Sequence, residues 1–261
     1  MASYPTYEPE IWQKGLTVKQ AEDLFSEAKG VPALSRPLQG LFAPASTFKS
    51  VSVVAAANAG YSLDGTYNCP ASVEIGNRTF NNFDSVAAGR LKLDVGLAIS
   101  CDSLWYQIAY DEWVRDGGLK PKSKTNDYFF IAAKAFGVGK LTGIDLPSEN
   151  KANIPDTAQY SKDFGNPRYW NSCYMLTLGI GQDRMTATPL QLANSMAFIA
   201  NEGYYYTPHF VDSIESETEE EAAQLAPFRT KQKITKIPKE YISTTPNCRL
   251  PVYRGSCAAA K

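Results

Sequence analysis

The chain has 261 residues, 44% hydrophobic and 20% charged, enough apolar side chain for one large core or two packed lobes. A net charge of −1 at pH 7 offers no electrostatic footprint for nucleic acid. One histidine and five cysteines without C-x-x-C spacing argue against a zinc site, a metal hydrolase and a closed set of disulfides, and no stretch approaches the roughly 20 apolar residues of a membrane span. Residues 1–7 lack a basic n-region and an apolar h-region, so composition alone predicts a soluble, cytosolic chain.

Taken in chain order, the first segment carrying chemistry runs from Pro44 through Ser46, Thr47, Phe48 and Lys49 into an almost wholly apolar stretch, 51–59. The pattern predicts a loop that becomes a buried helix, with a hydroxyl and an amine three residues apart on one face. The positive end of that helix lies where an oxyanion would form. Two other Ser-x-x-Lys matches, Ser26 with Lys29 and Ser148 with Lys151, lie among Glu, Asn and Lys. There an amine stays hydrated near its reference pKa of about 10.4 and cannot accept a proton. Lys49 differs, because packing beneath a Val/Ala-rich helix desolvates an amine and lowers its pKa, which makes it a candidate base for a Ser46 nucleophile. The bland alternative is a helix N-terminus with an exposed lysine.

Cys69 is free to pair with another cysteine in an oxidising compartment, although spacing does not give the connectivity. Ser100, Cys101 and Asp102 open an aromatic helix predicted over 103–114 and stopped by Gly117 and Gly118. On that corner Ser100 could relay a proton between Lys49 and a leaving amine, with Asp102 holding a substrate amide. The structural alternative is an N-cap role for Ser100 or Asp102. Cys101, between them, reads as a packed thiol. Ser-x-Asp recurs at Ser161 and Asp163, so the string alone decides little.

A second buried helix is predicted over 128–136, ended by Gly137. Thr188, Pro189 and Gln191 form a capping box with proline at the first helical position, for a helix over 190–201 ending at Gly203. Leu190, Leu192, Ala193, Met196, Ala197, Ile199 and Ala200 cover most of its circumference, which predicts deep packing. His209 lies in an aromatic run, 204–211, that reads as a strand, and a structural role for it leaves a serine mechanism without histidine. From 212 to 239 an acidic run gives way to a basic one, the pattern of a solvated connection.

Four blocks now stand in a fixed order. Residues 42–49, FAPASTFK, resemble the YxPGSTFK block of class B penicillin-binding proteins, the peptidoglycan D,D-transpeptidases, and Ser100, Cys101 and Asp102 resemble their SxN/SxD block. Residues 137–147, GVGKLTGIDLP, resemble the family's TGIDLP segment, and 179–193, GIGQDRMTATPLQLA, its IGQG…TPLQLA segment. The resemblance runs from about Pro5 to about Tyr241. It implies an α+β fold of the penicillin-binding protein/β-lactamase type, with the helical lobe largely complete and the central antiparallel sheet incomplete at the C-terminus. Residues 1–241 would be the transpeptidase domain and 242–261 a divergent tail. Also implied are Ser46 as nucleophile, Lys49 as base, Ser100 as proton relay and Asp102 as the group that binds the substrate amide, with no cofactor or metal. The implied partners are peptidoglycan stem peptides, β-lactam antibiotics and other cell-wall synthesis proteins. The implied location, against the composition, is the extracytoplasmic face of the cell membrane, with the anchor absent from this chain.

Two departures bear on that expectation. Ala45 stands where the family usually has Gly, a mild change unless the position needs positive φ. The third motif, Lys-Thr-Gly or Lys-Ser-Gly, is expected after a helix beginning near Lys239, but residues 242–261 contain neither string and show no helical or strand period. That strand supplies one oxyanion-hole N–H in the family, and losing one such donor costs on the order of 100- to 1,000-fold in rate. Impaired activity is therefore expected of this chain. The competing readings are a β-lactamase or D,D-carboxypeptidase, a non-catalytic β-lactam sensor, and a catalytically inert fragment or scaffold.

Overall fold

The computed structural model describes residues 3–165, 172–201, 203–213, 218–230 and 232–233. The tail 242–261 and the helix expected near Lys239 lie outside them. Three short helices, α1 (Ile11–Lys14), α2 (Val18–Phe25) and α3 (Arg36–Gln39), lead to a 3-10 turn, Ala45–Phe48, that runs directly into α4 (Lys49–Asn58). Next come β1 (Tyr67–Cys69), β2 (Ser72–Ile75), β3 (Arg78–Asn81) and β4 (Gly89–Leu91), in which β1 pairs with β4 and β2 with β3, both antiparallel. Helices α5 (Leu93–Ala98), α6 (Asp102–Arg115), α7 (Tyr128–Ala135), α8 (Thr157–Phe164), α9 (Ser172–Leu178) and α10 (Pro189–Ala200) follow. β5 (Tyr204–Tyr205), α11 (Glu219–Arg229) and β6 (Gln232–Lys233) complete the described order, with β5 and β6 antiparallel. The architecture is α+β, helix-dominated, with small antiparallel sheets.

Helix α4 is the centre of the core because nine of its ten residues, from Lys49 to Ala57, are buried. Its Val and Ala side chains are small enough to admit neighbours closely, and α7 packs against it through Phe129, Ala132 and Ala133. Each buried valine stabilises the fold by about 1.5–3 kcal/mol relative to exposure. α6 packs against α9, and the turn after α9 comes close to both α6 and α4. The Ser52 hydroxyl donates to the Gly179 carbonyl at 2.7 Å, and a Cβ on Gly179 would meet the Trp105 carbonyl of α6 at 3.0 Å, so a larger residue there would require α6 to give by a few tenths of an ångström.

Helix α10 starts as its sequence predicts: the Thr188 hydroxyl accepts from the Gln191 N–H, and the Gln191 side chain accepts from the Thr188 N–H. Its packing differs from the expectation. The buried residues are Gln191, Ser195, Phe198 and Ile199, while Ala193, Ala197 and Ala200 are exposed. Alanine gains little from burial, whereas the Gln191 amide Nε2 donates to the carbonyls of Lys140 (2.6 Å) and Lys151 (3.0 Å) and turns that face inward.

The predicted strand over 204–211 is only Tyr204–Tyr205. Pro208 has no N–H to offer a ladder, and the Asp145 carboxylate takes the N–H groups of Phe210 (2.8 Å) and Val211 (2.9 Å) instead. Within 212–239, read as a solvated connection, α11 forms, with Thr218 and Glu221 in a reciprocal capping box and acidic residues in the first turn that suit the helix dipole.

Candidate active site

The 3-10 turn that presents Ser46 is fixed from behind. Phe42 exchanges two backbone hydrogen bonds with Ala187, at 3.1 and 2.8 Å, and the Ala45 N–H donates to the Gly181 carbonyl at 2.8 Å. That close approach places Ala45 at φ 50°, in the left-handed region, so the substitution of Gly by Ala falls where it matters. A Cβ on Gly181 would lie 2.4 Å from the Ala45 carbonyl, which reserves that position for glycine as well. Ser46 is exposed at the surface of this arrangement, and one turn on, Lys49 is fully buried with the rest of α4.

Lys49 Nζ donates to the Ser100 carbonyl (2.9 Å), to Ser100 Oγ (2.8 Å) and to Asp102 Oδ1, with which it forms an ion pair. Ser100 Oγ in turn donates to Ser46 Oγ at 3.2 Å. The four residues picked out in the sequence therefore meet. Ser46 and Lys49 share no direct hydrogen bond, however, and the Ser100 hydroxyl connects them. Ser100 itself has φ 56°, a strained setting for a residue with a Cβ, which turns both its carbonyl and its hydroxyl onto one amine.

Burial lowers the Lys49 pKa, and the hydrogen bond and charge of Asp102 oppose that shift. The side chain is 1% exposed, against 13% for Asp102, so the pair is screened little by water. Tyr106, one turn along α6, is pushed up to about 12 by burial and then by the Asp102 charge, and stays neutral beside the site. The other two Ser-x-x-Lys matches behave as their surroundings predict. Lys29 is half-exposed and paired with Asp23 at 2.6 Å, and Lys151 is exposed. His209 binds the Thr207 carbonyl through Nδ1 at 2.9 Å and faces the Phe228 ring.

Cys101 requires a correction. It is not a packed thiol but is bonded to Cys69, and its Sγ accepts from the Leu104 N–H at 3.4 Å, so Cys101 rather than Ser100 or Asp102 is the N-cap of α6. Asn82 was not singled out in the sequence. Its Oδ1 accepts the Asp102 N–H at 2.7 Å, a long-range contact with no local motif. Gln191 also joins the TGIDLP and TPLQLA blocks, and its place as the Gln of a capping box gave a signal for the cap but none for the distant carbonyls.

A family model described as the penicillin binding protein transpeptidase domain matches residues 1–245. Among named relatives, the peptidoglycan D,D-transpeptidase MrdA of Escherichia coli K12 is 29% identical over 220 residues, covering 82% of this chain and 32% of that protein. The MrdA of Haemophilus influenzae is 30% identical over 218 residues, covering 82% and 31%. The chain thus spans about a third of the length of the curated relatives it matches. Pseudomonas aeruginosa PBP2 in complex with WCK 5153 superposes with a TM-score of 0.72 at 23% identity, over 99% of this chain and 52% of that one. Helicobacter pylori PBP2, in its complex with MreC, gives 0.70 at 23% identity, over 87% and 41%. These likenesses establish the fold.

Proposed function

This chain belongs to the penicillin-binding-protein transpeptidase domain family, and from that premise we propose that it carries the acyl-transfer site of a peptidoglycan D,D-transpeptidase, with Ser46 as nucleophile. One observation carries the reading: an exposed serine hydroxyl joined to a buried amine by a single intervening hydroxyl, Ser46 to Ser100 to Lys49. Ser46 Oγ attacks the carbonyl between the last two D-alanines of a stem peptide while its proton passes to Ser100 and the Ser100 proton to Lys49 in its neutral form, the fraction that burial enlarges against the pull of Asp102. The returning proton leaves through Ser100 to the departing D-alanine amine. An amine of a neighbouring stem then attacks the acyl ester, forms the cross-link and releases Ser46. Asp102 Oδ1 holds Lys49, and Oδ2 is the atom left to accept the substrate amide N–H.

The same chemistry makes the site a target of β-lactams, whose strained amide replaces the D-Ala-D-Ala bond. The proposed place of action is the extracytoplasmic face of the cell membrane, where a buried Cys69–Cys101 bridge persists. By analogy with the Helicobacter pylori PBP2 complex with MreC, the proposed protein partners are other components of wall synthesis.

Incubation with benzylpenicillin followed by intact-mass measurement tests the reading. We expect one covalent adduct, localised to Ser46 and abolished by Ser46→Ala. An unmodified chain, or an adduct that survives Ser46→Ala, overturns it in favour of an inert scaffold or a different nucleophile. Where an adduct forms, incubation with a stem pentapeptide and an acceptor amine separates cross-linking from hydrolysis, which would mark a carboxypeptidase or β-lactamase.

A further inference from the structure

The corner bearing Ser100 and Asp102 is held from its far side as well as by Lys49. Cys101, the residue between them, is covalently joined to Cys69 at the end of β1, and both sulfurs are fully buried. The Ser103 hydroxyl packs against the bridge, 3.3 Å from Cys101 Sγ, and donates to the Pro70 carbonyl at 2.7 Å. A second tie lies beside the first. Asn82, just past β3 and 4% exposed, accepts the Asp102 N–H at 2.7 Å. Its Nδ2 donates to the Val86 carbonyl at 3.2 Å and to Asp84 Oδ1 at 3.3 Å, and lies 3.8 Å from Cys69 Sγ. Residues 101 and 102 are therefore clamped to the ends of two strands by one covalent bond and one buried hydrogen bond, and these ties meet each other. The residue they hold in place, Ser100, has a left-handed backbone that a residue with a Cβ keeps only where the surroundings over-determine it.

We propose that the Cys69–Cys101 disulfide and Asn82 form a positioning brace for Ser100 and Asp102, so that the rate of acyl transfer at Ser46 depends on the bridge being oxidised. The proposal rests on the reading of Ser46 as nucleophile. Without the brace, the corner relaxes toward an ordinary backbone, the Ser100 hydroxyl leaves the line between Ser46 and Lys49, and water reaches the amine. A dithiol reductant opens the bridge by giving two electrons and two protons to the S–S bond, leaving thiols at Cys69 and Cys101 and becoming a cyclic disulfide itself.

The test compares the oxidised chain, the dithiol-treated chain and Cys69→Ala/Cys101→Ser, which keeps an oxygen N-cap for Leu104. All three are measured at a temperature where near-UV circular dichroism shows them folded. β-Lactam acylation is split into non-covalent affinity and the first-order acylation constant. We expect the constant to fall by at least about tenfold on opening the bridge while affinity changes less than about twofold. Asn82→Ala, which removes the acceptor of the Asp102 N–H, should lower the constant in the same way. A bridge that serves stability alone lowers the unfolding midpoint and leaves the acylation constant of the folded protein unchanged, and that result overturns the proposal. A second readout needs no acylation. The Lys49 13Cε signal, assigned with Lys49→Arg, is titrated in the oxidised chain and in the double variant, and opening the bridge should raise the midpoint by more than about half a unit as water reaches the amine. If Ser46 forms no adduct, this titration decides: a displaced midpoint upholds the brace although the functional reading has failed, and coincident curves reject it.

Discussion

The two ends of α6 hold buried charge by different means. At the N-terminal end Asp102 meets Lys49, a cation buried beneath α4, and each answers the other's charge. Near the C-terminal end Glu112 is 1% exposed, and no cation pairs with it among the described residues. Its Oε1 accepts the Tyr128 N–H at the start of α7, its Oε2 has no partner among the described residues, and Asp116 and Asp127 stand near enough to repel it. Burial first, then those carboxylates, push Glu112 up to about 8. Both ends thus perturb a titration, yet only one also presents an exposed nucleophile. Perturbation marks a place where burial outweighs hydration, and it marks chemistry only where a reactive atom with access to solvent is connected to it.

The sharpest way to break that contrast is to remove each group in turn. Lys49→Met should slow β-lactam acylation by about 10²- to 10⁴-fold, the usual worth of a positioned base, with the fold retained. Glu112→Gln should leave acylation within about twofold. Stopped-flow acylation of the two variants decides, and equal losses would mean that α6 acts as a unit and the contrast is false. The pH profile sharpens it further. A base must be neutral, and burial places the Lys49 pKa below the ordinary lysine range, so acylation should rise with pH and level off before an ordinary lysine would have titrated.

A neutral buried group provides the control. Gln191 is 1% exposed and spends its amide on the carbonyls of Lys140 and Lys151 and the Thr188 N–H. Gln191→Leu strands those groups and should destabilise the chain by on the order of 3 kcal/mol in urea unfolding, at every pH from 5 to 9. A loss that varied with pH would show that the knot is coupled to a titrating group.

Glu112 should show the opposite pattern. Its folded pKa of about 8 lies above the 4.5 of an ordinary glutamate, so between those values the folded chain binds the extra proton. Stability therefore falls as pH rises through that window, by up to about 1.4 kcal/mol per pH unit from this group, and levels off above it. Glu112→Gln keeps the acceptor for the Tyr128 N–H and removes the charge. It should flatten the slope and raise stability above pH 8 by on the order of 1–3 kcal/mol. Urea unfolding of both chains at pH 5 and pH 9 measures it, and an unchanged slope would assign the window to other groups.

These contrasts also account for what could be read from the chain before its structure. Ser46, Lys49 and α4 were legible because a local pattern, polar residues then an apolar run, dictates both the helix and the burial of the amine. The start of α10 was legible for the same reason, since a capping box is written within four residues. The inward face of α10, the Asn82 tie and the Cys69–Cys101 bridge were not, because each joins residues far apart in the chain, 32 in the case of the cysteines. Helix α11 did have a signal, Thr218 followed three residues on by Glu221, which the charge run around it obscured. Glu112 had none: it directly follows Asp111 in an aromatic helix, and nothing nearby in the chain foretells that Tyr128 and Phe129 fold over it.

The smallest effect belongs to Ala45, the one position where strain at the N-terminal end can be relieved without touching a reacting group. Its φ of 50° costs a residue with a Cβ about 1–2 kcal/mol, while glycine in the same place loses about 0.5–1 kcal/mol more chain entropy on folding. Ala45→Gly should therefore stabilise the chain by roughly 0.5–1 kcal/mol, read as a higher urea midpoint at unchanged slope. Acylation should stay within about twofold, because the Ala45 N–H to Gly181 carbonyl bond, which needs no side chain, sets the turn that presents Ser46. A gain in acylation rate larger than the gain in stability would show that the strain at Ala45 misplaces Ser46, and the Ser46–Ser100 separation of 3.2 Å would then be the distance that the substitution shortens.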